Sequence, residues 1–287
     1  MNNLLELTNQ QLQSSLSKMI LSASGWRTVF AESENEQDST DKISVGFSGI
    51  SVLIGKAFCS WFSKEFSQIK KPRIALACDT RPTGKTIADF VIKSCLSCGF
   101  DIQYVGVASA PEVMAYARKL DGFIYISASH NPIGHNGIKF GLNDGGVIDG
   151  EKSKVLIQIF KDLCNSENAS KIVNEILSTV SEESVKGVYQ KSEFFKNESL
   201  SAYTEFFAEI TAASTDKNIQ NQIFSTIQNS VEKNPISVAC DLNGSARCLS
   251  IDSQIFAQNN IPFFTEADLT TSSYEKYSKL DKLGRCG

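Results

Sequence analysis

A short polar segment that follows an apolar stretch carries most of the side chains able to do chemistry. Residues 127–140 read SASHNPIGHNGIKF and contain both histidines of the chain. The segment offers a hydroxyl at Ser129, imidazoles at His130 and His135, and an ammonium group at Lys139. A serine hydroxyl is a weak nucleophile, so it needs activation by a base or a phosphate already attached to it. No G-x-S-x-G pattern is present, and an acyl-transfer nucleophile is therefore not favoured.

The backbone of this segment is suited to tight turns. Pro132, Gly134 and Gly137 disfavour a helix. Such turns can point several N–H groups at one anion, and the amides of Asn131 and Asn136 add polar groups. The alternative is an ordinary surface loop in which His130 only bonds the backbone. The combination of residue types favours a phosphate-binding loop over that alternative.

The surrounding sequence alternates between strand-like and helix-like patterns from residue 43. Strands are predicted over 73–78, 101–107, 123–127 and 137–142, and helices over 50–66, 83–98 and 111–120. This alternation predicts an α/β fold with a mixed, mainly parallel sheet sandwiched by helices. Ligands gather at the carboxyl ends of strands in such sheets. The segment 127–140 follows a predicted strand and is expected at that edge.

Two domains are predicted. An amphipathic helix opens the chain and extends to Ile20, and the acidic stretch 32–41 is predicted to be a solvated loop. Residues 150–232 are mostly helical and polar. The strand pattern resumes at 236–240, with a helix near 250–259 and a strand at 261–264, while no apolar period follows residue 270. We place the domains at residues 1–190 and 191–287, the second an incomplete α/β domain.

Composition excludes several classes of protein. The net charge is −4, so neither nucleic acid nor an anionic membrane is an expected partner. No stretch approaches the roughly 20 apolar residues of a membrane span, and the start has no signal-peptide pattern. Eight scattered cysteines fit a reducing compartment. We therefore expect a cytoplasmic protein.

A nucleotide site is a weaker hypothesis. Gly84-Lys85-Thr86 follows an apolar strand, but a Walker A motif needs glycine where Asp79 stands. A helix that starts near Thr83 explains the segment better.

A redox site is likewise not favoured. Cys95 and Cys98 form a C-x-x-C at a helix end, where thiolates are not stabilised, and no second pair exists for zinc. The pattern favours structural cysteines.

Several motifs resemble those of the phosphoglucomutase/phosphomannomutase (phosphohexomutase) family. Segment 127–140 resembles its signature T/S-A/G-S-H-N-P followed by N-G-x-K. Other segments resemble further family elements: 24–27 its S/D-G-x-R, 79–81 its D-x-R, 110–111 its T-P, and 241–245 its D-x-x-x-G turn, with the glycine one place early. The resemblance extends over residues 20–265 and is most specific between 73 and 150.

The resemblance implies a phosphohexose mutase. Ser129 would carry a phosphate that passes to a hexose monophosphate through a sugar 1,6-bisphosphate, which also acts as activator. Lys139 and Arg27 would supply positive charge and, with His130, help to move the proton of the sugar hydroxyl. For Arg27 a surface salt bridge is an equal alternative. The remaining phosphate-loop residues implied are Asn131, Gly134, Asn136 and Gly137.

The chain departs from the family pattern in its second half. The family binds Mg²⁺ through the phosphoserine, here Ser129, and a D-x-D-x-D-R loop, which is absent. Asp241-Leu242-Asn243 has one carboxylate, and Glu266 and Asp268 alternate without a third acid. The sugar loop G-E-x-S-G and the phosphate clamp R-x-S-G-T-E of later domains are also missing. We expect a truncated chain of little activity, whose C-terminal half is lost or supplied by another chain.

A second class of function stays open at this point. The chain could be a non-catalytic remnant of the fold that binds sugar phosphates or a partner. The absent metal loop supports this alternative, and the intact Ser129 segment argues against it.

Overall fold

The computed structural model describes residues 5–265, and it divides the chain into two compact units, Met1–Tyr203 and Thr204–Gly287. The strands of the first unit are β1 (Ile20–Ser22), β2 (Gly25–Val29), β3 (Arg73–Cys78), β4 (Asp101–Val107), β5 (Gly122–Ile126) and β6 (His135–Leu142). Its helices are α1 (Asn9–Ser17), α2 (Val45–Glu65), α3 (Thr83–Ser97), α4 (Ala110–Ala117), α5 (Gly150–Asn165), α6 (Ala169–Thr179), α7 (Glu182–Tyr189) and α8 (Ser192–Ala212), which the division crosses.

The six strands form one mixed sheet in the order β1-β2-β6-β5-β3-β4. Strand β3 pairs in parallel with β4 and β5, whereas β6 is antiparallel to β5 and β2, and β1 is antiparallel to β2. Four strands therefore share one direction, and the predicted α/β fold is confirmed. The β1–β2 hairpin was not predicted. The opening helix ends at Ser17, and Ile20 lies in β1, which pairs with β2 across a turn at residues 23–24. Gly25, the first residue of β2, adopts φ +133°, a conformation open to glycine.

Helices cover both faces of the sheet, as predicted. The larger core lies on the face covered by α2, α3 and α5, where Trp26 of β2 stacks on Phe160 at a ring distance of 4.6 Å. The opposite face is covered by α4. Small residues of β3, Ala75 and Ala77, pack there beside Phe123. Two different packing faces explain why β3 and β5 are apolar throughout rather than alternating.

Helix α2 is long and apolar enough to span a membrane by length and composition. Most of it is buried inside the domain, including Phe58, Trp61 and Phe62. A fully enclosed apolar helix is the core of a domain. Helix α2 is therefore the central packing element of the larger face.

The boundary of the first unit has a physical cause. Sequence places it near residue 190, whereas the structure keeps the first half of α8 within the first unit. Lys196 of α8 forms a 2.7 Å ion pair with the fully buried Glu112 of α4, and the Ser199 hydroxyl donates to the same carboxylate at 2.7 Å. These contacts attach the start of α8 to α4.

The second unit begins a new α/β pattern. Its elements are α9 (Lys217–Lys233), β7 (Val238–Cys240), a 3₁₀ helix (Ala246–Leu249), α10 (Asp252–Gln258) and β8 (Phe263–Thr265). Strands β7 and β8 pair in parallel, as the predicted strand–helix–strand pattern requires. The expectations for Glu266, Asp268 and the stretch after residue 270 lie outside the described residues.

Candidate functional site

Ser129 lies in the loop that joins β5 to β6, at the carboxyl end of β5. Its backbone adopts φ +58°, in the left-handed region that residues other than glycine seldom enter. Its N–H donates to the Ser127 hydroxyl at 3.2 Å, and its own Oγ lies 3.5 Å from His130 Nδ1. Both Ser129 and His130 are exposed. The loop therefore holds the hydroxyl in solvent, beside an imidazole, by a backbone conformation that costs free energy.

A single arginine fixes the shape of this loop. The guanidinium of Arg81 donates to the carbonyl oxygens of Ser129 at 2.9 Å and His135 at 3.2 Å. It also donates to the carbonyls of Asn131 and Pro132. One planar guanidinium with five donors thus satisfies four backbone acceptors, which a lysine ammonium cannot reproduce.

Arg81 is itself held by the residue that begins its motif. Asp79 Oδ2 accepts from Arg81 Nε at 3.2 Å, and Asp79 Oδ1 accepts from the Arg81 N–H at 3.0 Å. Only 10% of the Arg81 side chain and 13% of the Asp79 side chain are exposed. Our assignment of site residues from sequence omitted Arg81. The D-x-R spacing directly after a strand was the signal that could have identified it.

The loop backbone does not form the expected anion nest at four of its N–H groups. The N–H groups of Ser129, Asn131, Gly134 and His135 donate to the Ser127 hydroxyl and to the carbonyls of Ala128, Glu36 and Pro132. These four donors are therefore already engaged by acceptors of the protein itself. Positive charge for an anion bound at this loop would therefore come mainly from side chains.

The two asparagines of the segment brace the loop. Asn131 Nδ2 donates to the Ala128 carbonyl at 2.7 Å. Asn136 is fully buried, donates to Thr83 Oγ1 at 3.0 Å and accepts from the N–H of Gly137 at 2.9 Å. The structure places Asn136 in the interior, where its side chain joins the loop to the start of α3.

The two glycines permit close approach of the backbone. Gly134 packs on the exposed acidic loop 32–41, where its N–H donates to the Glu36 carbonyl at 2.8 Å. A Cβ at Gly137 would lie 2.7 Å from Arg27 Cγ and 2.9 Å from the Ser127 carbonyl oxygen. Gly137 thus leaves the space in which the Arg27 stem and the start of the serine loop come together.

Arg27 and Lys139 lie on the same face of the sheet. Arg27 is directly across from Gly137 in the β2–β6 register, and Lys139, two residues further along β6, is on the same face by strand alternation. A Cβ at Gly25 would lie 3.2 Å from Lys139 Cγ. Gly137 therefore leaves room for the Arg27 side chain, and Gly25 leaves room for the Lys139 side chain.

Neither cation is neutralised within residues 5–265. Arg27 Nη2 donates to the Ser24 hydroxyl at 3.1 Å, and in this part of the chain neither Arg27 nor Lys139 pairs with a carboxylate. The surface salt bridge considered for Arg27 is absent from the described residues. Two half-buried, unneutralised cations on one face form a local positive region in an acidic chain.

A cavity of about 420 Å³ adjoins the loop on the side of β1 and β2. It is lined by both loop and strand residues: Lys18, Ile20, Arg27, Thr28, Val29, Glu34, Asn131 and His135. The lining carries the Arg27 guanidinium, the Asn131 amide and an ion pair between Lys18 and Glu34. Such a cavity is suited to a polar, anionic molecule.

The described residues do not fit a magnesium site. Mg²⁺ takes six oxygen ligands and is usually held by one or two carboxylates with water and phosphate oxygens. Residues 5–265 contain no group of three or more His, Cys, Asp or Glu side chains placed to hold a metal. Of the carboxylates near the loop, Glu36 Oε2 lies 3.4 Å from His135 Nε2, and Asp79 is engaged by Arg81 through both oxygens. Ser129 alone would leave a cation without protein carboxylates.

The nucleotide-site hypothesis is not supported by the structure. Lys85 lies within α3, where its ammonium group is 3.7 Å from Asp89 and 4.8 Å from the ring of Tyr189. Thr86 Oγ1 donates to the Asp41 carbonyl at 2.8 Å. These groups are used in packing the helix, as expected for a helix start at Thr83.

Comparison with known proteins places this geometry in a family. A family model described as phosphoglucomutase/phosphomannomutase, alpha/beta/alpha domain I, matches residues 22–167. A phosphoglucosamine mutase of Exiguobacterium sp. is 36% identical over 98 residues, which cover 33% of this chain and 22% of that protein. A phosphoglucosamine mutase of Lacticaseibacillus casei is 44% identical over 79 residues, covering 26% and 17% respectively.

The matched stretches are thus about a fifth of the length of these relatives. A solved phosphoglucomutase/phosphomannomutase family protein from Burkholderia thailandensis superposes with a TM-score of 0.38 at 15% identity, over 92% of this chain and 69% of that one. The family model spans half of the chain and includes Arg27, Arg81, Ser129 and Lys139. The chain belongs to the phosphoglucomutase/phosphomannomutase family, and residues 22–167 form its α/β/α domain I.

Proposed function

We propose that this chain is the phosphoserine-carrying part of a phosphohexose mutase and that Ser129 is the phosphate carrier. The observation that carries the proposal is the conformation of Ser129. Its hydroxyl is exposed at the end of β5 by a left-handed backbone that Arg81 holds through four carbonyl contacts. A costly conformation retained by a dedicated buried arginine supports a role for that hydroxyl.

In the proposed reaction the hydroxyl oxygen of a sugar phosphate attacks the phosphorus of phosphorylated Ser129. The bond from phosphorus to Ser129 Oγ breaks, and the sugar becomes a bisphosphate. The second phosphate of that intermediate then returns to Ser129, and the isomeric monophosphate leaves. This chemistry requires little covalent help from the protein but does require in-line positioning and charge neutralisation.

The side chains present divide these tasks. Arg27 and Lys139 offset charge on the transferring phosphoryl group from the sheet face beside the loop. His130, 3.5 Å from Ser129 Oγ, is placed to exchange the proton of the attacking or leaving oxygen. Arg81 is a positioning residue because, among the residues that the structure describes, its side chain bonds backbone oxygens of the loop and Asp79.

The substrate class follows from the chemistry and from the relatives. A phosphoryl carrier with two adjacent cations fits a hexose phosphate, and the phosphoglucosamine mutases among the relatives favour an amino-sugar phosphate. The sugar contacts and Mg²⁺ ligands would come from parts of the family architecture that this chain does not match. A cytoplasmic location remains a prediction, as does the missing C-terminal half.

The proposal is tested by a coupled mutase assay with a Ser129→Ala control. The purified chain is given glucosamine 6-phosphate or glucose 1-phosphate, with Mg²⁺ and the matching 1,6-bisphosphate. We expect little turnover by the chain alone, and transfer of one phosphoryl group from the bisphosphate to Ser129. Rapid turnover that the control lacks would contradict the need for further domains. Tight binding of the bisphosphate with no transfer to Ser129 would favour the non-catalytic binding protein.

A further inference from the structure

Three cysteines meet where helices α2 and α3 pack most closely. A Cβ at Gly55 of α2 would lie 2.8 Å from Ser94 Cβ of α3, so the two helices are nearly in backbone contact there. Four residues further along stand Cys59 of α2 and Cys98, the C-cap of α3. Cys59 and Cys95 are buried in the same apolar cluster, and Cys98 packs against it. The C-x-x-C of α3 is therefore completed by a third cysteine from α2.

The surroundings of Cys98 favour its thiolate. Lys56 Nζ lies 3.7 Å from its sulfur and Ser97 Oγ lies 3.8 Å away. The hydrogen bond from Cys59, then the charge of Lys56, lower the pKa of Cys98 to about 6, although partial burial acts against them. A helix C-terminus also disfavours a thiolate, so these donors outweigh two opposing effects.

Cys59 differs from Cys98 in both exposure and protonation. It is 1% exposed, and burial raises the pKa of its thiol well above the ordinary value. Near neutral pH the cluster therefore pairs a partly exposed thiolate with a buried thiol. Oxidation-sensitive cysteines have this form, an accessible low-pKa thiolate beside a resolving thiol.

We propose that Cys98 is a peroxide-reactive site and that Cys59 is its resolving partner. The Cys98 thiolate attacks one oxygen of a hydroperoxide, the O–O bond breaks, and a sulfenic acid forms while the departing oxygen takes a proton from Lys56 or water. The Cys59 sulfur then bonds to the Cys98 sulfur, and the hydroxyl of the sulfenic acid leaves as water with the Cys59 proton. A thiol reductant reverses the disulfide.

The first test is the pH dependence of alkylation in the reduced, full chain. Short pulses of iodoacetamide between pH 5 and pH 9 are followed by peptide mass spectrometry of Cys98. We expect half-maximal labelling near pH 6, and a Lys56→Met variant should shift it to higher pH. Labelling that rises only near the value of about 8.5 typical of a free cysteine would overturn the proposal.

The second test maps the oxidised product. The wild-type chain is treated with hydrogen peroxide below one equivalent, quenched and digested without reduction. We expect a Cys59–Cys98 disulfide, a Cys98 sulfenic acid trapped by dimedone in Cys59→Ser, and neither product in Cys98→Ser. Replacement of the exposed Cys248 by serine is the matched control and should change nothing. A wild-type map in which Cys248 oxidises first, or in which Cys98 stays reduced, would overturn the proposal without any variant having to fold.

Discussion

Arg81 donates to the backbone carbonyl of Ser129 at 2.9 Å across 48 residues of sequence. The same guanidinium binds three further carbonyls of the loop and is held by Asp79. The conformation of Ser129 therefore depends on a side chain from the preceding β3–α3 connection. A substitution at Arg81 can therefore change the position of the Ser129 hydroxyl while the hydroxyl itself is retained.

We expect Arg81→Lys to disturb the Ser129 loop although charge is retained, because an ammonium group cannot bind four carbonyls. Breaking this largely buried pairing should lower the free energy of unfolding by about 3 kcal/mol. Misplacement of the hydroxyl should reduce phosphate uptake by about 100-fold. Urea denaturation and phosphopeptide quantification measure the two effects.

Arg73→Lys is the matched control, since Arg73 is 52% exposed, and it should change stability by less than about 0.5 kcal/mol. Equal behaviour of the two variants would contradict the positioning role.

Gly137→Ala should be destabilising because the new methyl group overlaps Arg27 and two backbone carbonyls. Overpacking of this kind costs about 1–3 kcal/mol. Gly187→Ala is the matched variant, since Gly187 lies in α7 with nothing within 4 Å of its added Cβ. It should be neutral or stabilising by about 0.5 kcal/mol. Denaturant unfolding of both variants is the measurement, and a neutral Gly137→Ala would show that Arg27 does not need this space.

Arg27→Gln and Lys139→Gln should impair transfer without unfolding the domain. Both cations are unneutralised by carboxylates within the described residues, so their loss breaks no ion pair there. Each substitution should reduce phosphate uptake at Ser129 by about 100-fold, as loss of one charge-stabilising donor does in other enzymes. Time-resolved phosphopeptide analysis provides the rate, with Lys154→Gln on the exposed side of α5 as control. Unchanged rates in both variants would remove these residues from the proposed machinery.

Lys196→Met should be strongly destabilising because Glu112 is fully buried and, within residues 5–265, Lys196 is the cation paired with it. Leaving that carboxylate unpaired costs about 3–5 kcal/mol. The double variant Glu112→Gln/Lys196→Met should recover much of the loss, since no buried charge remains. Urea denaturation of the double-mutant cycle measures the coupling. Additive effects would mean that the pair does not join α8 to α4.

Asp149 should make the stability of α5 depend on pH. It caps α5, and its hydrogen bond to Lys152 holds the pKa of its carboxyl below the ordinary value of 3.8. Because the folded pKa is the lower one, the stabilisation is present above pH 3.8 and is lost as pH falls through the folded value. Asp149→Asn keeps a capping oxygen but cannot ionise. The stability difference between wild type and this variant should therefore shrink on acidification from pH 6 to pH 2, and a constant difference would contradict the account.

Much of the fold can be predicted from sequence because its signals are local. Strand β3 and strand β4 were predicted with the bounds 73–78 and 101–107 that the structure has. Helix α3 differs by one residue at its end. Apolar runs bounded by Gly, Pro and polar residues are sufficient for such elements. The β1–β2 hairpin was not recognised because Met19 and Ile20 also fit the apolar face of the preceding helix, whereas the structure pairs Ile20 with Arg27 of β2.

The sequence predicts several residues of the site but not the contacts that these residues make in the folded chain. The spacing of Ser129, His130 and Lys139 identifies one loop, whereas the contact of Arg81 with that loop depends on tertiary structure. The polar sequence around Asn136 does not indicate that its side chain is fully buried either. Cys98 illustrates the same limit, since its local C-x-x-C at a helix end argues against reactivity and the deciding groups come from α2. These features depend on contacts between residues that are distant in the sequence, and local sequence patterns do not contain such contacts.

The most direct test of the central claim is phosphopeptide mapping of the chain after incubation with a hexose 1,6-bisphosphate. We expect a single phosphoryl group on Ser129, absent from Ser129→Ala and strongly reduced in Arg81→Lys. Ser127→Ala, two residues away in the same loop, should still accept the phosphate on Ser129. A phosphoryl group found on Ser127 or elsewhere, with Ser129 unmodified in the wild-type chain, would contradict the assignment of Ser129 as the phosphate carrier.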